Sequence, residues 1–376
     1  MIRSLKKNYK FLNTNPKLTT IMKKLFLSLA SLALLITACN SDDSKEITQE
    51  QQIDMSDFYV YTDFSDDLSS KSTNSKESFK TCYTMDVLNR QLSENPGLEK
   101  KMFDIEYHTR KFITAKGKPG GGSGGGGTGG EADIDVLPIN DGLGTINIPV
   151  YVHIVLPNAN DVTNSQVTSQ INVLNDDFSS TNTNLLPSGA TNFINDATVT
   201  GISFSLAGTF RYNNSTSSWG TNNAVKSAYP PITPQTHLNI WVCNIGGGIL
   251  GYAQFPGGNS ATDGVVLLYS SLPGGSAAPY NLGRTATHEV GHYLNLRHIW
   301  GDGRCRQDDF VTDTPSSDGA NYGCPSYPTV NCSSTDMTMN YMDYTDDGCM
   351  YMFTDGQRNR MRAIFASGGP RETMIQ

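Results

Sequence analysis

HEVGHYLNLRH, residues 288–298, contains three of the six histidines of the chain. On an α-helix, residues four apart lie one turn apart on the same face, so His288 and His292 can bind one metal ion together. With His298 they form a set of three neutral nitrogen ligands, which leaves the fourth tetrahedral position of a zinc ion open to water. Water bound there has a pKa of about 7, and Glu289 lies beside it without being a ligand. The stretch therefore predicts a catalytic zinc site.

The third histidine requires a sharp turn after His292. Six more residues of straight helix would carry His298 about 9 Å along the axis and away from the metal. Asn295 is the residue expected to make the turn, because asparagine is second only to glycine in tolerating the left-handed backbone. The alternative is a polar helix with three surface histidines, which this spacing makes improbable.

Composition indicates an exported protein. The chain has 376 residues, only 17% of them charged, and a net charge of -8. This length allows one large domain or two modest ones. The acidic surplus argues against binding to nucleic acid or to an anionic membrane surface.

Residues 22–38 have the layout of a signal peptide: two lysines, an apolar run too short to cross a membrane, and small residues before a cysteine. Their end is typical of a lipobox, in which Cys39 carries the lipid. Residues 1–21 are then a doubtful upstream extension, and the acidic NSDD at 40–43 indicates display on the outer surface. We predict an outer-membrane lipoprotein, with an ordinary cleaved signal and an incidental cysteine as the alternative.

Residues 39–116 are predicted to hold a tether and a small helical unit. The polar stretch 40–80 is expected to be flexible, with order beginning near Cys82. Helical patterns at 85–92 and 98–116 are too short to bury a core of their own, so they should pack against another part of the chain.

Residues 117–142 form a linker that is almost entirely glycine up to Gly130. Such a run has no side chains to pack, and no GKS or GKT follows it, so it is not a phosphate loop. Basic residues beside it make it a candidate site for proteolytic cleavage.

Residues 143–376 predict an α/β domain with a mixed sheet. Strand patterns occur at 148–156, 201–206, 238–245, 251–256 and 264–269, and helix patterns at 165–178 and 283–296. Little regular structure is expected after His298 until a capping box at 354–357 begins a terminal helix.

Four cysteines follow the histidine stretch: Cys305, Cys324, Cys332 and Cys349. In an exported protein they are expected to form two disulfides, each stabilising the irregular region by roughly 3 kcal/mol. A four-cysteine zinc site is the alternative, although the chain offers no CxxC spacing there.

With these features the chain resembles the pappalysin family of metzincin metalloproteases, in particular its short bacterial members. The resemblance covers residues 144–366. It rests on the histidine stretch, on NYMDY at 340–344 as a Met-turn, on 309–315 with 323–325, and on 238–256. It implies a metzincin-like fold in which the zinc helix precedes an irregular, disulfide-bonded subdomain and a terminal helix.

The resemblance also implies roles for individual residues. Glu289 matches the general base, Tyr344 a tyrosine that helps to stabilise the oxyanion, and Met342 the methionine beneath the zinc. The two disulfides would pair Cys305 with Cys332 and Cys324 with Cys349. Asp309, Val311 and Thr314 lie where family members bind calcium through oxygen ligands, with a solvated acidic turn as the alternative.

Two cysteines and one tyrosine bear on latency and specificity. The helical unit before the linker resembles a pro-region, and the Cys82 thiolate would occupy the open zinc position until cleavage; a buried free cysteine is the alternative. Cys243 lies in an apolar strand and is expected to be structural. Tyr351 stands where arginine-preferring relatives carry an acid, so an arginine preference does not transfer.

These features together predict a lipid-anchored, latent zinc endopeptidase that its own pro-region inhibits and that is released after the pro-region is cleaved. Protein or peptide substrates should lie along an edge strand at Tyr252, Ala253 and Gln254, with Tyr351 beside a pocket. An inactive peptide-binding lipoprotein and a zinc hydrolase of small amides are the alternatives.

Overall fold

A mixed sheet forms the centre of the fold, as the sequence predicts. The computed structural model describes residues 52–61, 80–116, 139–181, 193 and 195–375, which from Ile53 onward belong to one compact unit. Cys39, the predicted signal peptide and the glycine run at 117–130 lie outside the described residues. None of the described helices is long and apolar enough to cross a membrane.

Six described strands make up this sheet. They are β1 (Lys80–Cys82), β2 (Ile146–Leu156), β3 (Ile202–Asn213), β4 (Leu238–Cys243), β5 (Ile249–Ala253) and β6 (Val265–Leu268). Their order is β1-β5-β6-β4-β2-β3. All neighbours pair in parallel except β5 and β6, which are antiparallel. Strand β3 is longer than the predicted 201–206, because its pairing with β2 continues to Asn213.

Two helices cover one face of the sheet. Helix α3 (Asn164–Phe178) begins with a capping box of Thr163 and Gln166. Helix α5 (Arg284–Tyr293) carries the first two histidines and ends before the predicted 296. Their apolar side chains join those of β2 in the main core, whereas the short helix α4 (Ala224–Ala228) packs on the opposite face.

The pro-region candidate packs against the rest of the chain. Helix α1 (Thr84–Glu94) follows β1 directly, and α2 (Leu98–Lys116) lies against the terminal helix α6 (Asp355–Ala363). Strand β1 extends the sheet beyond β5, which is the outermost strand from the part after the linker. The pro-region candidate therefore covers the edge along which a substrate was predicted to lie.

Residues 53–61 also belong to this unit. Val60 is 2% exposed and packs in one cluster with Leu88 of α1 and with Phe255. The prediction that order begins near Cys82 is therefore wrong at these residues. Apolar side chains at Phe58, Tyr59 and Val60 interrupt the polar run, and their burial stabilises the docking of this segment.

The region between His298 and α6 is irregular apart from a hairpin of β7 (Val330–Asn331) and β8 (Ser334–Thr335) and two short 3-10 turns at Arg304–Arg306 and Asp347–Cys349. Disulfides join Cys305 to Cys332 and Cys324 to Cys349, with Cα atoms 5.4 and 5.7 Å apart. Thr354 and Gln357 form the capping box that begins α6.

Candidate active site

Three histidine rings converge on one point. Nε2 of His292 lies 3.1 Å from Nε2 of His288 and 3.1 Å from Nε2 of His298. Ligands about 2.0–2.1 Å from a tetrahedral zinc ion are roughly 3.4 Å apart. The three nitrogens therefore fit a zinc ion with little movement.

The turn after the zinc helix occurs where the spacing predicts it. Asn295 adopts a φ of 77°, in the left-handed region. The Leu296 amide then donates to the Gly291 carbonyl at 3.0 Å, which reverses the chain. This reversal places His298 opposite the two helical histidines.

Backbone carbonyls orient the two histidines of α5. Nδ1 of His288 is 2.7 Å from the Tyr341 carbonyl, and Nδ1 of His292 is 2.8 Å from the Leu296 carbonyl. Because a carbonyl only accepts, each Nδ1 must carry the proton, which leaves the Nε2 lone pair for a metal. Burial also lowers the pKa of His288 to about 3, so its ring is neutral.

His298 is held by two residues that the sequence analysis missed. Asp302, four residues later and 4% exposed, accepts from Nδ1 of His298 at 2.5 Å. Trp300 stacks flat on the other side of the ring, with centroids 4.3 Å apart. An acid at this spacing from a ligand histidine was the available signal, since metal-bound histidines commonly donate to carboxylates.

Glu289 is fully buried beside the three rings. Gly251 of β5 makes room for it, because a Cβ at Gly251 would lie 2.9 Å from Cγ of Glu289. Burial raises the pKa of Glu289 to about 7, against hydrogen bonds from Thr84 and Cys82 that lower it. A carboxyl group with such a pKa can both accept and return a proton near neutral pH.

Cys82 and Thr84 fill the space above the histidines. The Cys82 sulfur and one nitrogen of each of the three rings all lie within 4.8 Å of one another. The Thr84 hydroxyl donates to Oε2 of Glu289 at 2.7 Å and accepts from the Ala253 amide at 2.8 Å. The pro-region candidate thus contacts the metal ligands, the general-base candidate and the edge strand together.

The Met-turn lies directly beneath the zinc helix. A Cβ at Gly291 would be 2.4 Å from the Met342 sulfur, so only glycine allows this approach. Tyr344 is 3% exposed, and its ring centroid is 4.9 Å from that of His298. The fold therefore places both residues beside the three histidines.

The predicted substrate-binding residues differ in orientation. The ring of Tyr252 points to the opposite face of the sheet, beside Trp241. Ala253 offers its amide to the cleft. Gln254 is fixed by Thr262, Asn259 and Gln91 of α1, its carbonyl oxygen accepting from Thr262 at 2.6 Å.

A pocket lies beside His288 and Glu289, and Tyr351 is not part of its lining. The Tyr351 hydroxyl donates to the Gly348 carbonyl of its own loop. The pocket instead contains Arg284, Met350 and Asp347. Asp347 accepts from the Leu282 and Arg284 amides, and burial raises its pKa to about 6.

The three calcium candidates lie together in a buried turn. Asp309 is 2% exposed. Its carboxylate oxygens are 2.8 and 2.9 Å from the Thr314 hydroxyl, which also lies 2.8 Å from the Val311 carbonyl. Burial raises the pKa of Asp309, as expected of a carboxyl group in a protein interior. Asp309 is the single charged group among the three, and its carboxylate accepts from the Val311 amide and the Thr314 hydroxyl.

Comparisons with known proteins agree with this geometry. The family described as Pregnancy-associated plasma protein-A matches residues 234–366. An extracellular metalloprotease of Pyricularia oryzae is 35% identical over 236 residues, 59% of this chain and 75% of that protein. Extracellular metalloprotease 1 of Coccidioides posadasii is 34% identical over 232 residues, 58% of this chain and 77% of that protein.

Solved structures match both the catalytic part and the pro-region candidate. Mature mirolysin of Tannerella forsythia in complex with a cleaved peptide is 42% identical, with a TM-score of 0.58 over 61% of this chain and 96% of that one. A promirolysin mutant from the same organism is 35% identical, with a TM-score of 0.64 over 79% of this chain and 97% of that one. On these similarities and on its histidine site, the chain is a metalloendopeptidase that belongs to the pappalysin family.

Proposed function

We propose that the protein hydrolyses peptide bonds of protein substrates with a zinc ion held by His288, His292 and His298. Bound zinc would polarise the scissile carbonyl and lower the pKa of the attacking water. The convergence of the three Nε2 atoms beside the buried Glu289 carries this proposal.

Residues of the chain would carry out the other steps of the reaction. Glu289, buried beside the three rings, would take a proton from the attacking water and pass it to the leaving amine. The ring of Tyr344, close to His298, would bring its hydroxyl to the developing oxyanion. After removal of β1, the exposed edge of β5, including the Ala253 amide, would hold the substrate as an added strand.

Glu289→Gln tests this mechanism. The amide keeps the shape of the side chain but cannot accept the proton, so cleavage of a denatured protein should fall at least ~10²-fold, while zinc content and melting temperature remain unchanged. Glu372→Gln, at an exposed glutamate of the catalytic domain, is the matched control and should cleave normally. Full activity of Glu289→Gln would refute the assignment.

We further propose that residues 39–116 keep the enzyme latent and that cleavage in the linker at 117–142 activates it. Burial, and then the charge of Glu289, raise the pKa of Cys82, so the thiol is expected to ionise only when it binds the metal. The proenzyme form of a similar protein supports this proposal. In the full chain, Cys82→Ala should raise activity, whereas Cys243→Ala, at the other buried free cysteine, should not.

Two finer proposals concern calcium and the membrane. If Asp309, Val311 and Thr314 hold calcium, addition of calcium should raise the melting temperature of the unmodified protein but not of Asp309→Asn. If Cys39 carries a lipid, Cys39→Ser should move the protein from the membrane fraction to the soluble fraction. The extracellular relatives support export without bearing on the lipid.

The pocket beside His288 is the candidate for binding the substrate side chain next to the scissile bond. Asp347 and Asp343 line it together with Glu289, whereas Tyr351 does not. A peptide-library cleavage profile of the activated protein, with Asp347→Asn for comparison, would measure what this pocket selects.

A further inference from the structure

Residues 54–60 dock on a surface that lies beyond the third zinc histidine. The Tyr59 hydroxyl donates to the carbonyls of Gly301 and Asp308, the latter at 2.8 Å. The Tyr59 carbonyl accepts from Nη2 of Arg297 at 2.7 Å. These hydrogen bonds of Tyr59 are all made to the catalytic domain. The neighbouring residues of the segment also contact α2, where Arg110 binds the Asp54 carbonyl and the Asp57 carboxylate and Phe103 packs on Phe58.

Arg297 is the centre of this surface. Its guanidinium lies 4.3 Å from the ring centroid of Tyr59 and 5.2 Å from that of Phe310, and the two rings are 5.1 Å apart. Arg297 is only 4% exposed, and Nη1 is buried with no hydrogen-bond partner among the described residues. A buried cation that donates to one carbonyl and contacts two aromatic rings is suited to an aromatic ligand with a polar end.

The flanking residues of the segment extend the contact in two directions. Phe58 stacks on Phe310, with centroids 6.2 Å apart. Val60 packs with Phe255, which directly follows the predicted substrate-binding residues and lies 5.4 Å from the ring of His292. The surface therefore adjoins the cleft without including a zinc ligand.

We infer that the catalytic domain carries a second peptide-binding site, formed by Arg297, Phe310 and the carbonyls of Gly301 and Asp308. Its ligand class is a peptide with a tyrosine preceded by an aromatic residue, and residues 54–60 are the ligand that the chain itself supplies. The inference rests on the proposed function in one respect: removal of the pro-region would empty the site in the active enzyme. Peptides with this pattern would then bind beside the cleft.

Peptide binding to the full-length chain tests this site. A fluorescein-labelled peptide of residues 53–61 is titrated into zinc-loaded Glu289→Gln, which should not cleave it, and binding is followed by anisotropy. In a second chain, Phe58→Ala and Tyr59→Ala are added to empty the site. The emptied chain should bind the peptide at least about 100-fold more tightly, because the tethered segment competes at an effective millimolar concentration in the other chain.

One substitution in the peptide and two in the chain identify the contacts. A peptide with Tyr59→Phe lacks the hydroxyl donor to two carbonyls and should bind about tenfold more weakly. Phe310→Leu or Arg297→Ala in the emptied chain should weaken binding at least as much; zinc content and melting temperature are measured on each to show that the chain is folded.

Absence of binding to a folded, emptied chain would overturn the site. Equal binding of the peptide to both chains, unaffected by the substitutions at Tyr59, Phe310 and Arg297, would overturn the site as well. Mass spectrometry of the peptide after each titration shows whether it has stayed intact, so that cleavage by Glu289→Gln, which would refute the proposed mechanism, is distinguished from absence of the site.

Discussion

Glu106→Gln should loosen the pro-region more than any other single change on α2. Glu106 is 3% exposed, and its carboxylate accepts from Nη1 and Nη2 of Arg360 on α6 at 3.0 and 2.8 Å. Nε of Arg110, one turn along α2, donates to it at 2.8 Å. A glutamine has the same shape but no charge, so it would leave Arg360 buried without a counter-ion.

The pKa of Glu106 indicates the size of the effect. Despite burial, Arg360 and Arg110 lower that pKa from 4.5 to about 2. At 1.36 kcal/mol per pKa unit, this corresponds to at most about 3 kcal/mol in favour of the docked, ionised state, or roughly a hundredfold in the docking equilibrium, because the share of Arg110 arises within α2 itself. Measured costs of breaking a buried pair, 3–5 kcal/mol, are of the same order.

Hydrogen exchange of the α2 amides at neutral pH would measure this effect. Protection in Glu106→Gln should fall by roughly two orders of magnitude relative to the unmodified chain, and α2 should become sensitive to protease. Glu99→Gln, an exposed change on the same helix, is the control and should leave protection unchanged. Equal protection of α2 in all three proteins would refute the ion pair as an anchor.

The same pair predicts a pH dependence with a definite sign. Since the pKa of Glu106 is lower in the docked state, the stabilisation is complete above the ordinary pKa of 4.5 and is lost as the pH falls towards about 2. The difference in α2 protection between the unmodified chain and Glu106→Gln should therefore narrow over this range. A difference that stays constant down to pH 2 would contradict the assignment.

Three further changes test the site. Gly291→Ala places a Cβ 2.4 Å from the Met342 sulfur and should lower stability by about 1–3 kcal/mol, measured by thermal unfolding. Asp302→Asn weakens the acceptor for Nδ1 of His298 and should lower zinc affinity about 10–100-fold, measured by competition with a chelator. Asn295→Ala, at a φ of 77°, should destabilise the protein by about 1 kcal/mol, whereas Asn295→Gly should be neutral or stabilising by chemical denaturation.

Local patterns predicted the parts of the site that lie close together in the sequence. Spacing alone was enough for the zinc helix and for the turn at Asn295, because helix geometry and left-handed tolerance act over a few residues. The mixed sheet followed from apolar runs in the same way. The end of the zinc helix was predicted three residues too late, since the pattern continues through Leu294 and Leu296 although the backbone has already reversed.

Contacts between distant segments could not be predicted in this way. In the sequence, Glu106 and Arg360 each fit the pattern of a surface charge on an amphipathic helix. Only the docking of α2 on α6 brings the two side chains together. Asp347 likewise carries no local signal of its place in the pocket. The segment around Tyr59 was predicted to be a tether because its neighbours are polar, although Tyr59 packs on Arg297, which follows it 238 residues later in the sequence.

The pro-region candidate is held at three places by three different kinds of contact. Strand β1 pairs with the edge of β5, and Thr84 after it donates to the Glu289 carboxylate. Helix α2 is held by the buried ion pair of Glu106 and Arg360. Tyr59 packs on the surface formed by Arg297 and Phe310. Because the three are joined by one chain, release of any one leaves the others to hold it nearby at high effective concentration. Cleavage in the linker alone would therefore leave the pro-region bound, and full activity should require either its further digestion or dilution below its dissociation constant.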